Sequence, residues 1–233
     1  MSFEKWKINT FFASMEQMAI FNIKKMAIVV TTIIALGFVF SDFIVDIDGS
    51  ADNWIGQFRT PAGIKLFEYV TLLGGTFAIL LFAAILSYFL WKLPLSGVSY
   101  LKVFWFTFLC NAGTGFFLKN LIGRDRPLGA EVYEGFSYSF PSGHSLNSFF
   151  FYGFIAFMIF RFSKIEIRIK YAIAFILSTI VVLIGLSRIY LGVHFLSDVI
   201  GGYLIGWFWL NMALYFMKDI QRERKLNVVK VSS

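Results

Sequence analysis

Six long apolar runs dominate the chain, each bounded by charged residues or by glycine and proline. They cover residues 26–45, 69–91, 103–122, 146–160, 171–186 and 199–217. A helix rises about 1.5 Å per residue, so about twenty residues cross a hydrocarbon core of about 30 Å. The pattern predicts an all-α fold, a polytopic membrane helical bundle of six transmembrane helices filling residues 24–217. Between the runs, residues 46–66 carry Asp46, Asp48, Asp52, Gly49, Pro61 and Gly63, and predict a loop. Residues 123–144, rich in glycine, proline and aromatic residues, predict a second. Residues 1–23 fit either an amphipathic helix lying on the membrane or a helical lead-in packed against the bundle. Residues 218–233 predict a basic, partly disordered cytoplasmic tail.

Composition supports the membrane reading. The chain is 58% hydrophobic and 15% charged, too oily for an ordinary soluble domain of 233 residues. Its 30 phenylalanines, 6 tryptophans and 10 tyrosines suit lipid-facing surfaces and interfacial belts. The net charge of +7 does not point to nucleic acid, because most cations flank apolar runs instead of forming one patch. Cys110, the single cysteine, lies inside an apolar run and reads as a small buried residue. The first run follows Lys24 and Lys25 and ends at Ser41-Asp42 without a small-residue cleavage site, so no cleavable signal peptide is expected.

Charge also orients the bundle. With six spans and a cytoplasmic N-terminus, fifteen of the 21 lysines and arginines fall on the side of the termini and six on the other. That asymmetry predicts both termini in the cytoplasm. Three polar clusters then meet on the extracytoplasmic side: Lys119 with Arg126-Pro127, Pro141-Ser142-Gly143-His144, and Ser187-Arg188 with His194 and Asp198. Ionisable groups at the ends of apolar spans mark function by default.

The residue types suggest what that function is. Lys119, Arg126 and Arg188 together make an anion clamp, with planar forks suited to phosphate oxygens. Snorkelling explains any one of them, but not three on the side where positive charge is disfavoured. Ser142 caps the following helix, Gly143 lets backbone N–H groups approach a ligand, and His144 sits in the first turn. His194 and Asp198 are four apart and share a face if the last helix begins near Leu191. A carboxylate there takes one ring proton and leaves the other nitrogen as base or nucleophile. A zinc site is the rival, but three cations would repel a dication and a two-metal site needs more carboxylates.

These residues resemble the type-2 phosphatidic acid phosphatase superfamily, in its bacterial integral-membrane lipid phosphatase branch. That family carries Lys-x6-Arg-Pro, Pro-Ser-Gly-His and Ser-Arg-x5-His-x3-Asp. Lys119 through Pro127, Pro141 through His144 and Ser187 through Asp198 match every position over 80 residues. The resemblance implies that His194 attacks phosphorus, Asp198 orients it, and His144 protonates the leaving oxygen and then activates water. It implies that Lys119, Arg126, Ser142, Gly143 and Arg188 hold the phosphoryl oxygens, with no cofactor and no metal. The expected activity is removal of phosphate from a membrane lipid phosphate or pyrophosphate. Undecaprenyl pyrophosphate or phosphatidylglycerol phosphate leads, with lipid A and phosphatidic acid phosphatases, a lipid-to-lipid phosphotransferase and an anion transporter as alternatives. The expected partners are that lipid and the bilayer, with no nucleic acid and no required protein.

Overall fold

The computed structural model describes residues 41–93, 97–127 and 137–232. Among them the chain is all-helical: α1 (Ser41–Gly56), α2 (Pro61–Leu72), α3 (Thr76–Lys92), α4 (Gly97–Ile122), α5 (Gly143–Phe162), α6 (Ile167–Tyr190) and α7 (Leu196–Ser232). Five segments among the described residues are long and apolar enough to cross a membrane: Pro61–Lys92, Gly97–Ile122, Gly143–Phe162, Ile167–Tyr190 and Leu196–Lys218. The sixth expected span, residues 26–45, lies outside the described residues except for its last five, which are helical. The expected surface or lead-in helix over residues 1–23 lies outside them entirely.

The expected loop over residues 46–66 is instead most of α1 and the start of α2. Gly49 weakens a helix without ending it, and tertiary contacts from Asp48 and Ile55, both buried, override that propensity. Pro61 does not break a helix here; it opens one. Thr60 is the N-cap, its Oγ1 accepting the Gly63 N–H at 3.1 Å, and Pro61 follows where its missing N–H costs nothing. The tail also differs from expectation. Helix α7 runs on to Ser232, in keeping with a sequence that has no glycine or proline after Gly206.

The membrane core is aromatic. Phe104 of α4 and Phe150, Phe151 and Phe154 of α5 are fully buried, with the Phe104 and Phe154 rings 5.0 Å apart between centroids. Ile79 and Ala83 of α3 and Ala213 and Met217 of α7 close around them. Helices α5 and α7 approach closely because α7 presents Gly202 and Gly206. A Cβ at Gly202 would lie 2.7 Å from the Ser142 carbonyl oxygen, and one at Gly206 would lie 2.6 Å from that of Leu146. Large apolar side chains also face outward, among them Phe77, Phe116 and Phe175. Water would penalise that surface; lipid does not.

The clusters sit at the C-terminal ends of α4 and α6 and the N-terminal ends of α5 and α7. A small cap made by α1 and the α1–α2 link covers this end. Arg59 pairs with Asp52 and donates through Nε to the Tyr190 carbonyl at 2.9 Å and through Nη2 to that of Ile189 at 3.1 Å. The cation thus satisfies the Tyr190 carbonyl at the end of α6 and adds a second donor to the Ile189 carbonyl, which already accepts the Gly192 N–H at 2.9 Å.

Candidate active site

Helix α6 ends so as to fold His194 back beneath Arg188. Gly192 adopts φ 67°, the left-handed conformation that closes helices and suits glycine. The chain reverses, and the N–H groups of Val193 and His194 both donate to the Arg188 carbonyl, at 3.1 and 3.2 Å. The five-residue gap between Arg188 and His194 is the length of this helix stop. His194 therefore stands in the turn before α7 and not on its first turns, contrary to the shared-face expectation.

Asp198 lies in the first turn of α7, at the position whose side chain reaches back to the residue before the helix. Its Oδ2 accepts the Phe195 N–H at 2.8 Å, as in a capping box. The same oxygen lies 3.5 Å from His194 Nδ1 and accepts a short hydrogen bond from the Ser139 hydroxyl. Ser139 Oγ is also 3.4 Å from Nδ1. Its one proton goes to Asp198, so toward Nδ1 it offers only lone pairs. Both neighbours of Nδ1 are thus acceptors, and the ring proton belongs there. Nε2 keeps its lone pair and faces Arg126 Nη1 at 3.2 Å.

His194 is 2% exposed. Burial lowers its pKa from the ordinary 6.5 to about 4; Asp198 opposes this shift, and the positive fields of Arg126 and Arg188 add to it. The imidazole is accordingly a neutral base at pH 7.

The three clusters are stitched together by backbone. Ser142 N–H donates to the Asp198 carbonyl at 3.0 Å, tying the start of α5 to that of α7. Ser139 N–H donates to the Arg124 carbonyl at 2.7 Å, tying residues 137–142 to the exit of α4. Arg126 reinforces the join, reaching the Ser137 and Val193 carbonyls at 2.7 and 2.8 Å, and Lys119 Nζ donates to the Tyr138 carbonyl at 2.6 Å. Ser142 is buried and caps α5, accepting from the Ser145 N–H at 3.5 Å and the Ser145 hydroxyl at 3.1 Å, so its own O–H remains a donor. Gly143 is the first residue of α5, and a Cβ added there would meet nothing within 4 Å.

Arg188 and His144 face a different element, the break between α2 and α3. Arg188 Nη1 donates to Thr71 Oγ1 at 2.7 Å. A Cβ at Gly74 would lie 3.4 Å from His144 Cδ2, and one at Gly75 would lie 3.8 Å from His144 Nε2. Gly74 is required by α6 instead: a Cβ there would lie 2.5 Å from Ile184 Cγ2, so the absent side chain lets the broken helix pack against α6 beside the imidazole.

Sequence reasoning missed Thr71, Arg124 and Ser139 as neighbours of these clusters, and Asp48 behind them. The glycine pair inside an apolar run was a signal for the break. Arg124, two residues before Arg126, was visible as a further cation at the same helix exit. Nothing local marked Ser139 or Asp48.

Comparison with known proteins gives the chain a family. The model of the PAP2 superfamily matches residues 76–222. The chain belongs to the PAP2 superfamily. Phosphatidylglycerophosphatase B of Bacillus subtilis (strain 168) is 33% identical over 182 residues, which cover 76% of this chain and 88% of that protein. Lipid A 1-phosphatase of Rhizobium johnstonii is 33% identical over 192 residues, covering 72% of this chain and 74% of that one. The crystal structure of a transmembrane PAP2 type phosphatidylglycerolphosphate phosphatase from Bacillus subtilis superposes with a TM-score of 0.73 at 27% identity, covering 86% of this chain and 98% of the other. This PAP2 chain is thus a multi-pass membrane enzyme of the phosphatase class, in the bacterial membrane branch of the superfamily.

Proposed function

We propose that this PAP2 enzyme removes phosphate from a membrane lipid phosphate or pyrophosphate through a phosphohistidine on His194. The observation that carries the mechanism is the placement of the His194 ring, with Asp198 and Ser139 at Nδ1 and the Arg126 guanidinium at Nε2, which favours a proton on Nδ1 and a lone pair on Nε2. Nε2 attacks phosphorus while the bond to the leaving oxygen breaks, and His144 gives that oxygen a proton. His144 then takes a proton from water, the water oxygen bonds to phosphorus, and the phosphorus–Nε2 bond breaks. Lys119, Arg126, Arg188, Ser142 and the Gly143 N–H stabilise the charge on the phosphoryl oxygens. These cations supply the positive charge that a metal would supply elsewhere, so the reaction needs none.

Phosphatidylglycerol phosphate is the leading substrate, supported by the named activity of the Bacillus relative. Undecaprenyl pyrophosphate stands beside it on family resemblance, and the Rhizobium relative favours a lipid A 1-phosphate reading as the second. The test is phosphate release by purified protein from these lipids and phosphatidic acid, with and without EDTA and vanadate, and with an acceptor lipid present. Release should persist in EDTA and stop with vanadate. Loss on chelation that zinc or magnesium restores would overturn the metal-free mechanism; label passing to the acceptor instead of water would make the enzyme a phosphotransferase.

We also infer that the site faces outward from the bacterial cytoplasmic membrane, with both termini inside. The support is the excess of lysine and arginine on the side of the termini. In a Cys110→Ala background, Ser50→Cys should react with an impermeant maleimide on intact cells and Lys164→Cys should not. The reverse labelling would place the site in the cytoplasm.

A further inference from the structure

One guanidinium joins the site to the cap. Arg124 Nη1 donates to Asp198 Oδ1 at 2.8 Å and to Ser197 Oγ at 2.6 Å, and Arg124 Nη2 donates to Asp48 Oδ2 at 2.6 Å. Asp48, on α1, is 1% exposed. Its Oδ1 accepts the Ser197 N–H at 2.9 Å, and its Oδ2 accepts the Ser197 hydroxyl at 2.5 Å. The face of Arg124 lies 4.3 Å from the Phe195 ring centroid. None of the matched family motif positions includes Asp48 or Arg124.

We propose that Asp48 and Arg124 are positioning residues for the phosphoryl transfer: Asp48 holds one arm of the Arg124 fork so that the other holds Asp198 against His194. The proposal rests on the reading in which Asp198 orients His194 for attack. A planar fork shared between two buried carboxylates has one low-energy placement, and either carboxylate alone would leave it free to turn. The arrangement also sets charge. Asp48, Arg124 and Asp198 together carry one net negative charge next to the imidazole. Removing the Arg124 charge strengthens the pull of Asp198 on a proton at His194, and removing the Asp48 charge weakens it. The other charged groups facing His194 are Arg126 from the exit of α4 and Arg188 from α6. Both stay constant in the test.

The protein has 2 histidines, so ring nitrogens of 15N-histidine-labelled full-length protein in lipid nanodiscs resolve them, with His144→Ala assigning the signals. Wild-type His194 should show the Nδ1–H tautomer. Arg124→Gln should raise its titration midpoint and Asp48→Asn should lower it, each by about 1–2 pH units, as expected for one charge a few contacts away at an effective dielectric of about 20. The double variant should return near the wild-type midpoint. Arg124→Lys keeps the charge without the fork: the midpoint should hold while kcat drops on the order of tenfold at unchanged KM. This milder variant also keeps the test open if Arg124→Gln does not fold. An Nε2–H tautomer in the wild type would overturn the nucleophile reading itself. A wild-type Nδ1–H signal with unmoved midpoints in the single variants, or with full kcat in Arg124→Lys, would overturn this proposal alone and leave Asp48 and Arg124 as a docking contact for α1.

Discussion

His194→Ala should carry no phosphate after rapid alkaline quenching and lose on the order of 10⁴-fold or more in kcat. The reason is that no neighbouring group replaces its Nε2: Arg126, beside it, is a permanent cation. His144→Ala should behave differently. It keeps a nucleophile but lacks a proton donor, and an aryl phosphate needs little protonation to leave. Acid-labile label should therefore accumulate on His144→Ala, because no base activates water for the second step. The pH dependence follows from the lowered pKa of about 4. The neutral ring attacks, so its fraction stays near one at pH 7 and falls only as pH drops toward that value. Labelling of His144→Ala should lose its rate with a midpoint well below the ordinary imidazole range. Label on His194→Ala with none on His144→Ala would reverse the roles. No label on any form, wild type included, would favour direct attack by water.

Asp198→Asn should lower kcat by about 10³- to 10⁴-fold while the protein still folds, an effect of the size seen when an orienting carboxylate is replaced beside a catalytic histidine. Four groups address the Asp198 carboxylate: Arg124, the Ser139 hydroxyl, the Phe195 N–H and the Nδ1 edge of His194. All are donors or are held as donors. An asparagine presents one acceptor and one NH₂, so its nitrogen must meet at least one of those donors. If it turns toward His194, Nδ1 becomes the acceptor and the ring proton moves to Nε2, where it blocks attack. If it turns toward Arg124, two donors face each other in a buried place. Phosphoenzyme formation should slow in either case with KM little changed, since the clamp cations are untouched. An Asp198→Asn enzyme with near-normal labelling rates would show that the carboxylate does not orient the ring.

The outcomes for the expected elements follow a physical division. Five of the spans were legible because lipid demands long apolar helices, and that demand is written in local composition. Their ends were less legible. Helix α4 begins at Gly97 and α6 runs to Tyr190, beyond the most apolar stretch, because caps and tertiary contacts decide where a helix stops. The α1 region was misread for a related reason: Asp46, Asp48 and Gly49 look like loop residues unless a partner buries Asp48. The glycine pair at Gly74-Gly75 is a local sign of the break between α2 and α3, but a weak one, because the run stays apolar on both sides and no charge accompanies it.

Within the sequence alone lay the membrane class, the three motifs and the chemistry their residue types allow, because hydrophobicity, charge and spacing are properties of short segments. The tertiary structure decided which groups meet. It set His194 in a turn made by Gly192, put Ser139 and Asp198 on the same ring nitrogen, and brought Arg188 and His144 to the break between α2 and α3. It also ran a charge path from Asp198 through Arg124 to Asp48, residues 74 and 76 positions from Arg124 along the chain. Contacts over such separations depend on how helices pack, and no local pattern of residues encodes them.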